Sequence, residues 1–367
     1  SGGSSGSSTT LALAGAGAGG RNEIRNEIEA AIVRSPQAPP TQVAEVRSQS
    51  NLSVLAKDTS TINIDAGGVA IALATDQGRN AAISVGASVA INDIENTIRA
   101  RVSGAKVTAA NLAVEASAKN SIEALTLAGG LSVAGGQDGL ALGGAGAGSG
   151  NTIRNTIEAL IENAATVEAQ QLTLSADDES TVKADAGAGS LALATSKKNR
   201  IAIAGAGAVS INDISNRIAA VARDSVVTGG NVNILATSKP TVDSFSLGLA
   251  GTLTIGGGSG TSIGIAGAGS GSKNTIKNTI EATVSATPIK ASGALLVQAN
   301  DGSTIVADAG GVSAGLAIGQ TGIAIAAGAS ATINNISNTV SAQIDESTIE
   351  ADTIALLASS TGSIEAL

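Results

Sequence analysis

Few residues in this chain could do acid–base or nucleophilic chemistry, because His, Cys and Tyr are absent from all 367 positions. Carboxylates, Lys and Ser are what remains of the usual catalytic groups. The densest acidic group is Asp177, Asp178 and Glu179. Such a group could act as paired carboxylates or as ligands for a weakly bound Ca²⁺.

The aspartates at this position recur along the chain, which makes them candidate Ca²⁺ ligands as a set: Asp58, Asp178 and Asp301. Lys119 and Lys239 occupy the neighbouring position in other copies of the same turn. A solvated turn explains this mixture of charges better than a cation site. The sequence therefore predicts no catalytic residues and no cofactor.

A glycine pattern at Gly15, Gly17 and Gly20 matches the G-x-G-x-x-G fingerprint of dinucleotide-binding loops. Its later copies, GAGSGN and GAGAVS, lack the third glycine. We therefore interpret these residues as packing glycines.

An asparagine motif reveals the organisation of the chain. Asn-x-Ile-x-Asn-x-(Ile/Val) occurs six times, starting at Asn22, Asn92, Asn151, Asn212, Asn274 and Asn334. After a longer first interval the starts recur every ~60 residues, and a repeat of this kind is typical of solenoids. The extra residues of the first copy lie around Pro36, Pro39 and Pro40, and we interpret them as a surface loop.

The units pair into a longer period. DAGG, DAGAG and DAGG begin at Asp65, Asp185 and Asp308, two units apart in each case. The sequence predicts one continuous array over 1–367, cut from a longer protein, in which 1–21 ends a preceding unit. The predicted units are approximately 22–91, 92–150, 151–211, 212–273, 274–333 and the partial 334–367.

Periodicity of two and many β-branched residues favour strands over helices throughout. We predict an all-β fold, a parallel β-helix-like β-solenoid whose units of ~60 residues pair into a period of ~120 residues. If each unit is one rung, equivalent residues lie about 4.8 Å apart. The alternative is that each unit winds two or three coils of ~20 residues.

Charged positions favour whole-unit rungs, because like charges on adjacent rungs repel. Three sets of equivalent positions avoid such neighbours: Glu29, Arg99, Glu158, Ala219, Glu281, Ser341; Arg25, Glu95, Arg154, Ser215, Lys277, Ser337; and Thr59, Lys119, Glu179, Lys239, Gly302, Thr361.

The asparagines of the motif share a face with its isoleucines, while charged residues take the other face, so the asparagines should point inward. Buried amides need partners, and stacked asparagines can bond one another. We predict such a ladder for the second asparagine of each motif: Asn26, Asn96, Asn155, Asn216, Asn278 and Asn338. The first asparagine fits either a ladder or a corner of the coil.

Ala/Gly runs such as 11–20 and 201–211 are apolar on both faces. A strand without a polar face is covered on both sides. Such runs either cross the interior of a rung or form a contact between chains.

The net charge of −9 argues against nucleic acid and anionic membranes as partners. One segment, 311–333, is uncharged and long enough to span a bilayer. Its equivalents contain polar turns such as TSKKN, so we predict no membrane span.

The cycle of an Ala/Gly strand, N-x-I-x-N-x-I-x-A and S/T-x-V-x-A resembles the repeats of large bacterial filamentous adhesins. It is most similar to the leukotoxin-type filamentous adhesin and autotransporter exoprotein family, and the resemblance covers nearly the whole chain. The family implies an extracellular β-solenoid at the bacterial cell surface, with a role in adhesion or biofilm structure.

We therefore expect a structural filament or adhesin shaft that is not an enzyme. Its expected partners are adjoining repeats or further copies, and a host or cell-surface glycan or protein. The alternatives are a regular surface that binds glycan or ice, and a polysaccharide-acting β-helix enzyme.

Overall fold

A computed structural model describes residues 8–35, 37, 39 and 43–367. Strands account for 82% of the chain, and the described residues contain no helix. Parallel sheets of stacked strands form a β-solenoid, as predicted. The proline loop of the first unit lies almost entirely outside the described residues, and of its prolines only Pro39 is described.

Each turn of the chain contributes one rung to the solenoid, and the described residues contain six rungs. Rungs two and three contain four strands each, and the first rung contains five. The strands of these rungs are β1 (Thr9–Ile24), β2 (Glu27–Val33), β3 (Ala44–Arg47), β4 (Asn51–Asp58), β5 (Thr61–Ala74); β6 (Arg79–Ile94), β7 (Thr97–Ser103), β8 (Ala105–Ala118), β9 (Ser121–Gly136); β10 (Asp138–Ile153), β11 (Thr156–Glu162), β12 (Thr166–Asp178) and β13 (Thr181–Ser196). In the first rung the third strand is divided into two shorter ones, β3 and β4.

The remaining three rungs follow the same order. Their strands are β14 (Arg200–Ile214), β15 (Arg217–Arg223), β16 (Val226–Ser238), β17 (Thr241–Ile255); β18 (Thr261–Ile276), β19 (Thr279–Ser285), β20 (Ile289–Ala291), β21 (Ala294–Asp301), β22 (Thr304–Ile318); β23 (Thr321–Ile336), β24 (Thr339–Asp345), β25 (Ile349–Glu350), β26 (Thr353–Ser360) and β27 (Ser363–Ala366).

Four parallel sheets run along the solenoid, and we number them in chain order. Sheet 1 stacks β1, β6, β10, β14, β18 and β23, and sheet 2 stacks β2, β7, β11, β15, β19 and β24. Sheet 3 is built from β3 or β4, β8, β12, β16, β20 or β21, and β25 or β26. Sheet 4 stacks β5, β9, β13, β17, β22 and β27.

The register shows that one repeat unit makes one rung. Ile157 pairs with Ile98 on one side and with Ile218 on the other. These three isoleucines come from consecutive units. Because they pair directly, consecutive units lie one strand spacing apart. The alternative of two or three smaller coils per unit is wrong, because each unit closes only one circuit of the four sheets.

In cross-section the rung is a flattened loop with two unlike halves. Sheets 2 and 3 face each other across Ile, Val and Leu side chains, among them Ile161, Leu172 and Leu174. Sheets 1 and 4 face each other across alanines, such as Ala192 and Ala202. We call these the aliphatic half and the alanine half.

Small inner side chains let the two sheets of the alanine half approach to backbone contact. A Cβ added at Gly86 would lie 2.1 Å from the carbonyl oxygen of Gly129 in the facing sheet. Real Cβ atoms do not approach an oxygen so closely, so only glycine fits at this position.

The three charged columns predicted from the sequence have the expected register. Within them, Arg99 binds Glu158 at 2.8 Å and Lys119 binds Glu179 at 3.3 Å. Opposite charges therefore meet between neighbouring rungs.

One cause of the doubled period lies on the outer face of sheet 4. Glycine and leucine alternate from rung to rung in one column: Gly67, Leu127, Gly187, Leu247 and Gly310. A Cβ at Gly187 would lie 2.9 Å from Cδ2 of Leu127. Each leucine therefore leans over a neighbouring rung, which must carry glycine there.

Among the described residues, no helix is long and apolar enough to cross a membrane. The uncharged segment 311–333 belongs to two strands, the end of β22 and most of β23.

Candidate functional site: a buried polar seam and an apolar outer face

The first asparagine of each motif points into the core and forms an unbroken chain of amides along the solenoid axis. Asn92 Nδ2 donates to Asn151 Oδ1 at 2.8 Å, and Asn151 Nδ2 donates to Asn212 Oδ1 at 2.8 Å. The same bond joins the other neighbours from Asn22 to Asn334. Of the two positions left open for this residue, the structure has the ladder and not the corner.

The second asparagine of each motif lies where the chain bends between sheets 1 and 2. These are the residues predicted as an amide ladder: Asn26, Asn96, Asn155, Asn216, Asn278 and Asn338. They do stack, but their hydrogen bonding differs from the expected amide-to-amide pairing. The backbone N–H of Asn155 donates to Oδ1 of Asn216 at 2.7 Å, and each neighbouring pair repeats this bond.

The bend explains the difference. It interrupts the strand, so the backbone N–H of the second asparagine bonds to a side chain of the next rung instead of a carbonyl. The amide nitrogen is then free to donate across the core. Asn216 Nδ2 reaches Asp178 Oδ2 at 2.9 Å, on the facing bend between sheets 3 and 4. The second asparagine therefore ties rung to rung and also ties the two layers together.

The facing bend is closed by an Asp-x-Ser turn in alternate rungs. Asp178 Oδ1 accepts hydrogen bonds from the Ser180 hydroxyl at 2.6 Å and the Ser180 backbone N–H at 3.2 Å. Asp58 and Asp301 make the same turn with Ser60 and Ser303. We call the two bends and the first-asparagine chain together the polar seam.

In the intervening rungs the aspartate position holds Ala118, Ser238 or Ser360. Two buried carboxylates one rung apart would lie about 4.8 Å from each other and would repel strongly. Spacing them two rungs apart is another cause of the doubled period.

Asp58, Asp178 and Asp301 are buried, so the prediction that this turn is solvated is wrong. Their oxygens accept N–H and O–H groups, such as Asn120 Nδ2 on Asp58 Oδ2 at 2.6 Å. A cation needs several oxygen ligands pointing at one point. Alternate rungs keep the three carboxylates apart, and the described residues contain no group of three acidic side chains that could share an ion.

Burial raises the pKa of Asp178 above its ordinary value, and hydrogen bonds from Ser180, Asn216 and Ser238 oppose this rise. Asp177 and Glu179 do not act with it as a carboxylate pair. Asp178 is buried, whereas Glu179 is paired with Lys119 at the surface.

The glycine fingerprint lies within a single strand. Gly15, Gly17 and Gly20 all belong to β1, where no turn or helix follows to hold a phosphate. Gly20 faces inward, since a Cβ there would lie 2.5 Å from Cδ1 of Ile64. Gly15 faces outward, with nothing within 4 Å of an added Cβ.

The outer face of sheet 1 is the second feature of note. Five columns of outward residues cross its six strands, and every one of these positions is Gly, Ala, Val, Leu or Ile. The large members are well exposed, including Leu13 at 67% and Ile203 at 38%. An uncharged apolar surface of this size is unusual on a soluble protein.

This surface has two parts. Two columns form a ridge of mostly large side chains: Leu11, Leu13, Ala81, Ile83, Leu140, Leu142, Ile201, Ile203, Ile263, Ile265, Ile323 and Ile325. The next two columns form a floor, in which Val85 is the one larger residue: Gly15, Gly17, Val85, Ala87, Gly144, Gly146, Gly205, Gly207, Gly267, Gly269, Ala327 and Ala329.

The aliphatic half has a different outer surface. On sheet 2 many outward residues are charged, and several bond across rungs, as where Arg217 contacts Glu158 at 2.5 Å and Glu281 at 2.8 Å. Sheet 4 belongs to the alanine half, and four adjacent columns of its outer face also contain only Gly, Ala, Val, Leu and Ile, but the column beside them carries Asp65, Asp185 and Asp308.

Sequence reasoning missed Arg200, the largest fully buried side chain. Its guanidinium donates to the Ser196 carbonyl at 2.8 Å and to the Ser262 hydroxyl at 2.8 Å. It therefore fastens the turns between sheets 4 and 1. The repeat pattern does not mark this arginine, because neighbouring rungs have Gly139 and Ser262 at the same position.

No protein family, curated protein or solved structure matches the chain.

Proposed function

We propose that the chain is a stretch of the structural shaft of an extracellular bacterial surface filament or adhesin fibre, with no catalytic role. One observation carries the proposal. The first-asparagine chain runs unbroken through all six rungs, and all four sheets continue along them, with one-residue insertions only in sheet 3, where the strand of some rungs is divided in two. A protein that builds a localised site usually breaks its repeat there, whereas a shaft benefits from uniformity.

The polar seam fits a structural role. Its donors and acceptors are paired with one another, as with Asn216 on Asp178 and Asn155 Nδ2 on Asn120 Oδ1 at 2.8 Å. Buried amides paired in this way fix the register of each rung, because a slip by one residue would leave them unpaired. A long stack built from small side chains needs such a device, since alanines alone do not define a register.

The polar depression at the bend between sheets 3 and 4 also fits a structural role. It has a volume of about 360 Å³ and is lined by Lys57, Lys119, Asp177, Glu179 and Lys239, among others. These charges largely neutralise one another, and Lys119 is bonded to Glu179. Catalytic carboxylates of polysaccharide-acting enzymes instead face an open groove and stay available to substrate.

The adjoining rungs of the same array are the partners that this proposal requires. Backbone hydrogen bonds between rungs run parallel to the axis in all four sheets. Cross-rung ion pairs on sheet 2 and the asparagine columns add to them. Any receptor-binding function belongs to other parts of such a fibre.

The test is immunogold labelling of intact cells of the bacterium that encodes the chain, with antibodies raised against it. We expect gold along filaments that extend from the surface, and none on a deletion strain. Labelling that appears only after permeabilisation would overturn the proposal.

A further inference from the structure

We infer that the outer face of sheet 1 is a lateral interface at which a second copy of this chain docks, with the ridge of each copy seated on the floor of the other. This inference rests on the proposed function, because it explains how shafts would associate side by side. The observation that supports it is a set of outward glycines on sheet 1 for which no contact within the chain requires glycine.

The floor glycines have no packing role within the chain. An added Cβ would meet nothing within 4 Å at Gly15, Gly146, Gly205, Gly207 or Gly267. Glycine in a strand destabilises the fold relative to alanine, because it loses more conformational freedom on folding. Glycine in a strand often marks a place where another backbone approaches closely.

The inner glycines of the same sheet give a direct comparison. At Gly86 the facing backbone is so near that a Cβ would lie 2.1 Å from an oxygen. There the cause of glycine is visible within the chain. The outer floor has the same composition without a visible cause, so the approaching surface belongs to another molecule.

The area suits a stable dimer. The four columns of ridge and floor span roughly 27 Å along the strands, and six strands span roughly 29 Å along the axis. The product is about 780 Å² per copy, close to the roughly 800 Å² per partner of standard protein interfaces.

The shape identifies the occupant as a second copy. Ridge and floor are adjacent pairs of columns, so a two-fold axis parallel to the solenoid and midway between them lays each ridge on the opposite floor. Such self-complementarity is what an isologous interface requires. The partner surface must also be flat, uncharged and repeated every rung, and sheet 1 of another copy has these properties.

Analytical ultracentrifugation of the chain over a range of concentrations tests the inference. We expect a monomer–dimer equilibrium for the wild-type chain. In Ile203→Glu the dimer should weaken at least tenfold, because a ridge residue becomes charged. Leu249→Glu on the outer face of sheet 4 is the matched control, since Leu249 is 43% exposed, and it should dimerise like wild type.

A double variant, Gly205→Leu with Gly207→Leu, separates docking from general stickiness. The added side chains point into open space, so folding should be unaffected, and circular dichroism checks this. They increase the apolar area but fill the floor. We expect dimerisation to weaken at least tenfold, whereas a merely sticky surface would associate more strongly.

A wild-type chain that stays monomeric would overturn the inference, which would leave the face to another occupant such as a lipid or a glycan. Stronger association of the leucine variant, or loss of the dimer in Leu249→Glu, would also overturn it. None of these results depends on cell-surface location, so a failure here is distinct from a failure of the labelling experiment.

Discussion

The two halves of each rung place their large side chains on opposite sides of the sheet. In the aliphatic half, Ile157 and Leu174 fill the interior and charged residues cover sheet 2. In the alanine half, the interior is alanine and glycine, and residues such as Ile203 and Leu13 lie outside. Both halves are built from strands whose side chains alternate with a period of two, so the difference is which face of the strand carries the large side chains.

This difference indicates a division of labour. Apolar burial is the main favourable term in folding, and large side chains contribute most to it. The aliphatic half therefore supplies much of the stability of the rung. The alanine half contributes less to stability through its core, and its large side chains are exposed on the outer surface.

The largest expected effect contrasts isoleucines from the two halves. Ile157→Ala should destabilise the fold by about 2–5 kcal/mol, because it leaves a cavity in a close-packed core. Ile203→Ala should change stability by less than about 0.5 kcal/mol, since its side chain is exposed in the monomer. Urea unfolding at low protein concentration measures both, and equal losses would contradict the division between the halves.

The next effect contrasts two glycines of sheet 1. Gly86→Ala should destabilise by about 1–3 kcal/mol, because its Cβ would overlap the backbone of sheet 4. Gly205→Ala should be neutral or stabilise by up to about 1 kcal/mol, since its Cβ meets open space. Thermal unfolding of the two variants compares them. A loss at Gly205 as large as at Gly86 would show that both faces of sheet 1 are packed within one chain.

Between the halves lies the polar seam, and Asn216→Ala tests its contribution. The change leaves the N–H of Asn155 without its partner and leaves Oδ2 of Asp178 with only the Ser238 hydroxyl at 3.5 Å. Buried groups left unpaired cost about 1–3 kcal/mol. Asn335→Ala is the control, because Asn335 belongs to the same motif but is exposed. An equally small effect of both changes on the urea midpoint would mean that the seam adds little.

The smallest expected effect is a dependence of the stability of the fold on pH. Burial raises the pKa of Asp178, so the folded protein holds its proton more tightly than the unfolded chain does. Stability from this group is greatest below the unfolded pKa, which is about 3.9, and falls as pH rises above it. The pKa values of Asp177 and Asp185 are also raised, mainly by burial.

We therefore expect the urea midpoint to fall between pH 4 and pH 7, and to fall less steeply in Asp178→Asn. The quantity to compare is the slope of the urea midpoint against pH. The midpoint itself is unsuitable, because the substitution also alters hydrogen bonds at the turn. An identical slope in the variant and wild type would show that Asp178 does not cause the pH dependence.

The fold could be predicted from the sequence because its signals repeat. Six copies of the asparagine motif gave the length of the repeat unit, and alternating charges such as Arg99 and Glu158 favoured stacking of whole units as rungs, although smaller coils stayed an alternative. The inward direction of the asparagines followed from their charged neighbours, Glu23 and Arg25. Local periodicity is enough for these features.

The rest depended on three-dimensional placement. Whether an Ala/Gly run faces the interior or another chain could not be predicted, because both of its faces are apolar. In the structure, alanines of β1 face sheet 4 and glycines such as Gly15 face outward. The partner of each second asparagine also lies far away in sequence, on a bend that only the closed rung brings near.

One rung per repeat unit is the basis of every contact between rungs described above, and a distance between two spin labels tests it directly. The chain has no cysteine, so Glu27→Cys with Thr339→Cys labels two chosen sites. These residues share a column of sheet 2 and are five rungs apart. Double electron–electron resonance should give about 24 Å between the backbone positions, plus the reach of the labels. A distance of ~70 Å, which three coils per unit would produce at the same strand spacing, would contradict the rung.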